Sequence, residues 1–293
     1  MATTPRSSEQ QRTRFANASD FAELISQDVY VDVERLRFLS FHGIPDDRDN
    51  QTLRGTVWRI LLPKLLSGFE TISSVPVDNV AALSTATTNV ETAKAIRDLL
   101  EQLDEPFFRK SSVRSKMEKV CIQYHADYPN GFASHDPKLL VYLYAPFMFT
   151  SRRSEPEHMF AMFMEMLERH NSFSIKERSF RRFMSLFRSQ LPRLCAHFEE
   201  EELDPRKWVT GWHQCLFAKQ LPFRCVLRLW DSYFSLRDGS FDLHLYVCLA
   251  VLKSFENDLL DKTYPELRAF MEAIPTLDIE KLVTQAQTLQ FLE

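Results

Sequence analysis

The residues best suited to metal chemistry lie in the middle of the chain. His135 and Asp136 are adjacent, and His125, His158 and His170 lie nearby in the sequence. A helical metal-dependent phosphohydrolase needs a His, a His-Asp pair and a further Asp that converge on one metal. That enzyme is therefore one hypothesis for this chain. A simpler interpretation is that Asp136, which directly precedes a proline, caps the helix that follows.

Other enzyme motifs are missing from the sequence. It contains no Gly-rich phosphate loop, no nucleophile elbow and no pair of catalytic carboxylates. The 5 cysteines are scattered and form no Cys-x-x-Cys pair, which predicts a reducing compartment without a disulfide framework or a zinc knuckle. The formal net charge is only −4 and the basic residues are spread out, which disfavours nucleic acid as a partner. We therefore expect no cofactor and no resident metal.

The most basic segment runs from Arg178 to Arg193. Its arginines alternate with apolar residues at helical spacing, which predicts a helix with one apolar face and one basic face. A surface helix docked through its apolar face explains this pattern. The alternative is a basic surface that binds an acidic partner. The five arginines are Arg178, Arg181, Arg182, Arg188 and Arg193.

The composition predicts a single large all-α domain. Hydrophobic residues make up 44% of the chain, and 24 phenylalanines stand against 6 glycines, which favours packed helices over hairpins. The apolar spacing predicts about a dozen helices between residues 18 and 293. We expect residues 1–17 to form a loose tail and residues 70–90 a long loop. The longest apolar run, Leu245 to Leu252, is far below the roughly 20 residues of a membrane span, and no signal peptide is recognised, so we expect a cytoplasmic protein.

The helices can be placed approximately from their apolar stripes and caps. The run from Leu139 to Phe149 could pass for a buried strand, but Pro146 favours a helix. The predicted helical ranges are 21–41 (one or two helices), 51–66, 90–103, 112–124, 136–149, 155–169, 176–198, 205–219, 222–234, 241–255, 265–273 and 279–291.

Several short motifs, taken together, resemble a known family. Near the start stand Gly43-Ile-Pro45 and Leu53-Arg54-Gly55-Thr-Val-Trp58. Later come Trp212, Leu216-Phe217, Leu221-Pro222 and Trp230-Asp231. In order and spacing they resemble the TBC domain, the helical domain by which most Rab GTPase-activating proteins speed GTP hydrolysis. The resemblance covers about residues 33 to 290. It implies an all-helical domain whose partner is a Rab-family small GTPase, and it assigns Arg54, Trp58, Trp212, Pro222, Trp230 and Asp231 to the structural frame.

The same resemblance locates two catalytic positions. The family motif Ile-x-x-Asp-x-x-Arg supplies an arginine, and the motif Tyr-x-Gln supplies a glutamine. The best match to the first motif places Asp98 at its aspartate and Glu101 at its arginine. The best match to the second places Phe132 at its tyrosine and Ser134 at its glutamine. The resemblance therefore implies a domain without the two catalytic side chains. It also implies a GTPase-binding surface made by Asp98, Glu101, Phe132, Ser134 and His135.

An arginine finger accelerates GTP hydrolysis by about 10³–10⁵. The leading hypothesis is therefore a weak or silent Rab regulator, a non-catalytic binding or scaffold module in membrane traffic or signalling. Such a module could belong to a larger complex and sit at membranes through its partners. The alternative is an active GTPase-activating protein with a displaced arginine, for which Arg97, Arg109 and Arg114 are the candidates.

Overall fold

The computed structural model describes residues 17–26, 31–45, 52–67, 90–103, 105–133, 136–151, 155–237 and 241–292. These residues form fifteen α-helices and one short 3-10 helix, Pro106–Arg109, and no strand occurs among them. The all-α prediction is confirmed. The α-helices are α1 (Ala18–Ile25), α2 (Val33–Phe41), α3 (Leu53–Ser67), α4 (Val90–Gln102), α5 (Ser111–Asp127), α6 (Pro137–Thr150), α7 (Pro156–His170), α8 (Phe173–Gln190), α9 (Pro192–Glu200), α10 (Pro205–Gln214), α11 (Phe223–Phe234), α12 (Leu243–Ser254), α13 (Glu256–Leu260), α14 (Tyr264–Glu272) and α15 (Ile279–Phe291).

Several helix starts are fixed by short polar side chains. Each of these side chains accepts a hydrogen bond from a backbone N–H group in the first turn, which would otherwise have no partner within the helix. Asp136 is one of them, because it accepts from the Lys138 N–H, so the predicted cap of α6 is confirmed. The capping residues of this kind are Asn17, Asp32, Asp136, Asp204 and Asp278.

The predicted helix from 176 to 198 is in fact two helices. α8 ends at Gln190 and α9 begins with Pro192. Leu191, between the two helices, has φ −135° and ψ 55°, outside the helical region, and the residue before a proline is disfavoured in helical geometry. The prediction gave the apolar periodicity more weight than this proline, and that was wrong.

The predicted helix from 205 to 219 also ends early, at Gln214. Leu216 and Phe217 have φ angles of 48° and 64°, in the left-handed region that a continuing helix excludes. Both side chains are fully buried, and the Leu216 carbonyl accepts a hydrogen bond from the Trp230 indole at 3.1 Å. Tertiary packing thus stabilises a backbone that the local sequence does not predict. The short helix α13 was not predicted either.

α6 is a helix that is buried on almost every side, which explains its strand-like apolar run. Helices α4, α5 and α7 all pack against it. Pro146 lies inside the helix, and the Thr150 hydroxyl donates to its carbonyl at 2.8 Å. The preference for a helix over a strand is confirmed.

Five aromatic side chains at the centre of the core join the early and late parts of the chain. Neighbouring rings in this group lie 4.7 to 6.3 Å apart between centroids, the usual range for edge-to-face and tilted pairs. They come from α3, α6, α7 and α11, and all are fully buried. The group consists of Trp58, Phe147, Phe163, Trp230 and Phe234.

The approach of α3 to α6 requires a glycine. A Cβ atom at Gly55 would lie 2.4 Å from the Thr150 carbonyl oxygen, a contact that only backbone movement could relieve. Gly55 therefore sets how closely α3 packs against the end of α6. Within the described ranges, none of the helices combines the length and apolar character that crossing a bilayer requires. The expected tail at 1–17 and loop at 70–90 lie almost wholly outside the described residues.

Candidate functional site

The frame residues at the two ends of the domain meet around one buried carboxylate, Asp231. Arg54 Nε lies 3.0 Å from Asp231 Oδ1, and the Trp58 indole donates to the same oxygen at 2.9 Å. The Ile44 N–H donates to Asp231 Oδ2 at 3.0 Å. Burial raises the pKa of the Asp231 carboxyl, and the Arg54 guanidinium acts in the opposite direction. This network is closed to solvent, so it orders α3 against α11 and does not itself touch a partner.

The two residues that the first motif match indicates, Asp98 and Glu101, lie on the outer side of α4. The inner side of this helix buries Ile96, Leu99 and Leu100, and α4 packs against α5 and α6. Asp98 and Glu101 are both exposed, and neither forms a hydrogen bond or an ion pair with another described residue. The last two turns of α4 therefore present two carboxylates to solvent.

The structure describes all three candidate displaced arginines. Arg97 Nε lies 3.0 Å from Glu118 Oε1 on α5 and donates to the Ala93 carbonyl of its own helix. Arg114 Nε donates to the Phe108 carbonyl at 2.9 Å, which ties α5 to the 3-10 helix. Arg109 ends that 3-10 helix and is exposed. Arg97 and Arg114 would have to break these contacts before either could reach a nucleotide.

The second motif match falls at the end of a short loop after α5, residues 128–133, which we name the finger loop. Both backbone groups of Phe132, the N–H and the carbonyl, form hydrogen bonds with side chains of other helices. The Phe132 N–H donates to Glu168 Oε1 of α7 at 3.1 Å, and the Phe132 carbonyl accepts from Gln214 Nε2 of α10 at 3.3 Å. We name Glu168 and Gln214 the loop clamp. Tyr128 at the start of the loop stacks on Tyr124 with ring centroids 4.5 Å apart.

Glu168 also lies close to Gly131 of the finger loop. A Cβ atom at Gly131 would lie 2.7 Å from Glu168 Oε1. Burial raises the pKa of the Glu168 carboxyl, while the Phe132 N–H and the charge of Lys176 lower it. No sequence motif predicts that Glu168 and Gln214 bind Phe132. Gln214 stands within the Trp212 motif and could have been noticed there, but nothing in the sequence singles out Glu168 among the carboxylates of α7.

Ser134 and His135 lie outside the described residues, so their predicted place on a GTPase-binding surface stays a prediction. The chain is described again at Asp136, whose carboxylate caps α6 and lies 3.4 Å from Lys219 Nζ. Ala133 on the other side is buried. The two undescribed residues are therefore flanked by a buried residue and a helix cap.

The metal hypothesis finds no support in the described ranges. No group of three His, Cys, Asp or Glu side chains in them has an arrangement that could hold a metal ion. His170 instead packs against His213 in the core, with ring centroids 4.0 Å apart.

Comparison with known proteins identifies the family. The model of the Rab-GTPase-TBC domain matches residues 51–260, which is more than half of the chain. TBC1 domain family member 22A of Homo sapiens is 35% identical over 101 residues, which cover 32% of this chain and 20% of that protein. GTPase-activating protein gyp1 of Schizosaccharomyces pombe is 30% identical over 99 residues, covering 32% and 19%. The matched segment thus spans about a fifth of each of these relatives.

Solved structures share the fold. The crystal structure of the Ypt/Rab-GAP domain of Gyp1p superposes with a TM-score of 0.68 at 18% identity, covering 94% of this chain and 97% of that one. The Chlamydomonas flagellar RabGAP TBC domain gives a TM-score of 0.62 at 21% identity, with coverage of 92% and 89%. At these identities the structures establish the fold alone. With the motifs, the buried frame and the family match in agreement, this chain belongs to the Rab-GTPase-TBC domain family.

Proposed function

We propose that this domain binds a Rab-type small GTPase and leaves its rate of GTP hydrolysis near the intrinsic value. The observation that carries the proposal is the exposed carboxylate of Glu101, which the best match to the family motif aligns with the motif's arginine. Asp98, one helical turn earlier, is exposed as well. A domain of this kind acts as a binding or scaffold module, at a membrane or in a larger complex that its partners define.

The electrostatics of phosphoryl transfer support a silent domain. Negative charge shifts within the transferring phosphoryl group as the reaction proceeds, and a catalytic arginine stabilises that transition state. A carboxylate in the same place repels the phosphate oxygens. Arg97 on the same helix is paired with Glu118, so it does not offset the two exposed carboxylates of α4.

Binding makes a smaller demand than catalysis, since it requires only a complementary surface. The clamped backbone of Phe132 keeps the finger loop ordered beside α7 and α10. Interactions made only in the transition state raise the rate, and their loss need not weaken binding. A Rab partner and a low activity are therefore compatible in one domain.

The activity can be tested with a panel of purified Rab GTPases loaded with GTP. A partner is first identified by binding, and its hydrolysis is then followed in single-turnover reactions with an excess of the domain. We expect the wild-type domain to bind and to leave the rate near intrinsic. A fast wild-type reaction would overturn the proposal.

A gain-of-function variant tests the two assigned positions. Glu101→Arg with Ser134→Gln should raise the hydrolysis rate at least about tenfold, a small part of the 10³–10⁵ that an arginine finger supplies. Glu200→Arg makes the same charge reversal at an exposed site on α9 and should leave the rate unchanged. Equal rates for the double variant and this control, with binding retained, would show that Glu101 and Ser134 do not occupy the catalytic positions.

The alternative is an active domain with a displaced arginine. Its candidates are Arg97, Arg109 and Arg114, of which Arg109 is exposed and ends the 3-10 helix that follows α4. If the wild-type domain proves fast, alanine at one of these three positions should abolish the acceleration and so locate the arginine.

A further inference from the structure

The surface feature that the proposed function leaves unexplained is the outer face of α8 and the start of α9. Residues 173–193 contain six basic residues against one acidic residue, Glu177, in a chain whose formal net charge is −4. Because a helix has 3.6 residues per turn, the four arginines of α8 fall within about a third of its circumference. We name the exposed residues of this segment the basic face. Its arginines are Arg178, Arg181, Arg182, Arg188 and Arg193, all exposed.

Two of these arginines are not used by the fold. Arg178 and Arg193 form no hydrogen bond or ion pair with any residue that the structure describes. Glu177, the acidic residue of the segment, is bound instead by Arg206 of α10, whose two terminal nitrogens lie 2.7 and 3.4 Å from its carboxylate oxygens. The side chains of Arg178 and Arg193 therefore reach into solvent without neutralising partners.

Two other arginines have neighbours in the fold. Arg182 Nη2 donates to the Tyr246 hydroxyl at 2.7 Å and its Nη1 lies 3.7 Å from Asp242, and Arg188 Nη2 lies 3.7 Å from Glu199. Exposed pairs of this kind contribute little stability, so they can exchange their partner at low cost. The basic face thus retains most of its positive charge for an external ligand.

The shape of the basic face is that of a strip rather than a groove. The exposed positions between its arginines include Ser174, Ser185 and Ser189, whose small side chains let a flat surface approach the helix. Eighteen residues make a strip about 27 Å long.

We propose that the basic face docks this domain directly on an anionic membrane. Basic residues close to an anionic leaflet contribute roughly 1 kcal/mol each. A straight strip of arginines separated by serines matches a flat, laterally uniform charge better than the discrete carboxylates of a protein partner. The basic face excludes α4 and the finger loop, so this proposal does not depend on GTPase binding.

The experiment measures cosedimentation with vesicles of phosphatidylcholine, with and without phosphatidylserine. Wild-type protein should bind the phosphatidylserine vesicles, bind neutral vesicles much less, and dissociate as salt is added. Arg178→Ala with Arg193→Ala removes two charges without removing an internal contact. At roughly 1 kcal/mol for each charge it should weaken binding about 30-fold.

The matched control is Arg268→Ala with Lys281→Ala. It lowers the net charge equally but changes α14 and α15, where both side chains are exposed. The control should bind like wild type, and unchanged thermal unfolding of both double variants would confirm that they fold. The proposal would be overturned if the two double variants lost vesicle binding to the same extent, or if the wild-type protein bound both kinds of vesicle equally. Failure to bind either vesicle, with Arg178-dependent retention on polyglutamate, would also overturn it and assign the basic face to an acidic protein.

Discussion

The guanidinium of Arg54 and the carboxylate of Asp231 form a buried ion pair at 3.0 Å, although the two residues are 177 positions apart in the chain. Asp231 is fully buried and also accepts hydrogen bonds from Trp58 and Ile44. Arg54 donates in turn to the Ile44 carbonyl. Three separate segments of the chain, the turn before α3, α3 itself and α11, are therefore held at one point.

Asp231→Ala should destabilise the domain by about 3–5 kcal/mol, because it leaves the Arg54 charge buried without its partner. The loss would appear as a lower denaturant midpoint in equilibrium unfolding. Glu272→Ala is the matched control, since it breaks an exposed pair with Arg268 and should cost less than about 1 kcal/mol. Similar midpoints for the two variants would show that the buried pair does not hold the fold together.

Trp230→Ala should cost about 3–5 kcal/mol of unfolding free energy, because truncation of a buried tryptophan removes packing and leaves a cavity. The variant also loses the hydrogen bond from the indole to the Leu216 carbonyl, which stabilises the left-handed turn after α10. Circular dichroism melting would measure the effect. Phe38→Ala, at an aromatic residue that is 62% exposed, should melt close to wild type. An unchanged melting temperature for Trp230→Ala would contradict this account of the core.

The sequence predicts the helices well because their apolar periodicity is local. α15 was predicted at its observed bounds, and α4 within one residue. The errors arise where one local signal opposes another or where distant contacts decide. Pro192 ends α8 against the periodicity, and Leu216 adopts a left-handed backbone because Trp230, fourteen residues later, binds its carbonyl.

The candidate site was harder to predict for the same reason. Family motifs indicate Glu101, and the structure describes it on an exposed helical surface. The loop clamp cannot be read from the sequence, because Glu168 and Gln214 reach Phe132 across 36 and 82 positions. A single carboxylate on α7 carries no local mark of this contact. Only the packing of α7 and α10 around the finger loop brings the three residues together.

Acid should destabilise the domain through two buried imidazoles. Burial lowers the pKa of His244 to about 3 and that of His213 well below its ordinary value. The unfolded chain binds these protons near pH 6.5 and the folded protein does not, so stability is complete above that pH and falls as the pH decreases below it. By pH 5 His244 should remove about 2 kcal/mol from the free energy of unfolding, and His213 should contribute a further loss in the same direction.

Urea unfolding at pH 7 and pH 5 would measure this loss. His213→Leu should reduce the difference in unfolding free energy between the two pH values, because it removes one of the two imidazoles. Neither ring nitrogen of His213 has a hydrogen-bond partner among the described residues, so the substitution removes no hydrogen bond. His158→Leu, at an exposed position, is the control and should keep the wild-type difference. A His213→Leu protein with the same pH dependence as wild type would exclude His213 as a source of acid sensitivity.

The loop clamp should govern the opening of the finger loop. The Phe132 amide is bound by Glu168, and a hydrogen bond to a charged acceptor is worth about 1.5–3 kcal/mol. Glu168→Ala should therefore speed hydrogen exchange of that amide about 10- to 100-fold, whereas Glu168→Gln, which keeps an acceptor oxygen, should change it less. Glu165→Ala removes a carboxylate from the preceding turn of α7, where it pairs with Arg169, and should leave the Phe132 amide protected. Equal exchange in Glu168→Ala and wild type would show that α7 does not hold the loop. Faster exchange of the Phe132 amide in both Glu168→Ala and Glu165→Ala would instead show that α7 as a whole protects it. The position of the loop would then depend on the stability of that helix rather than on this one hydrogen bond.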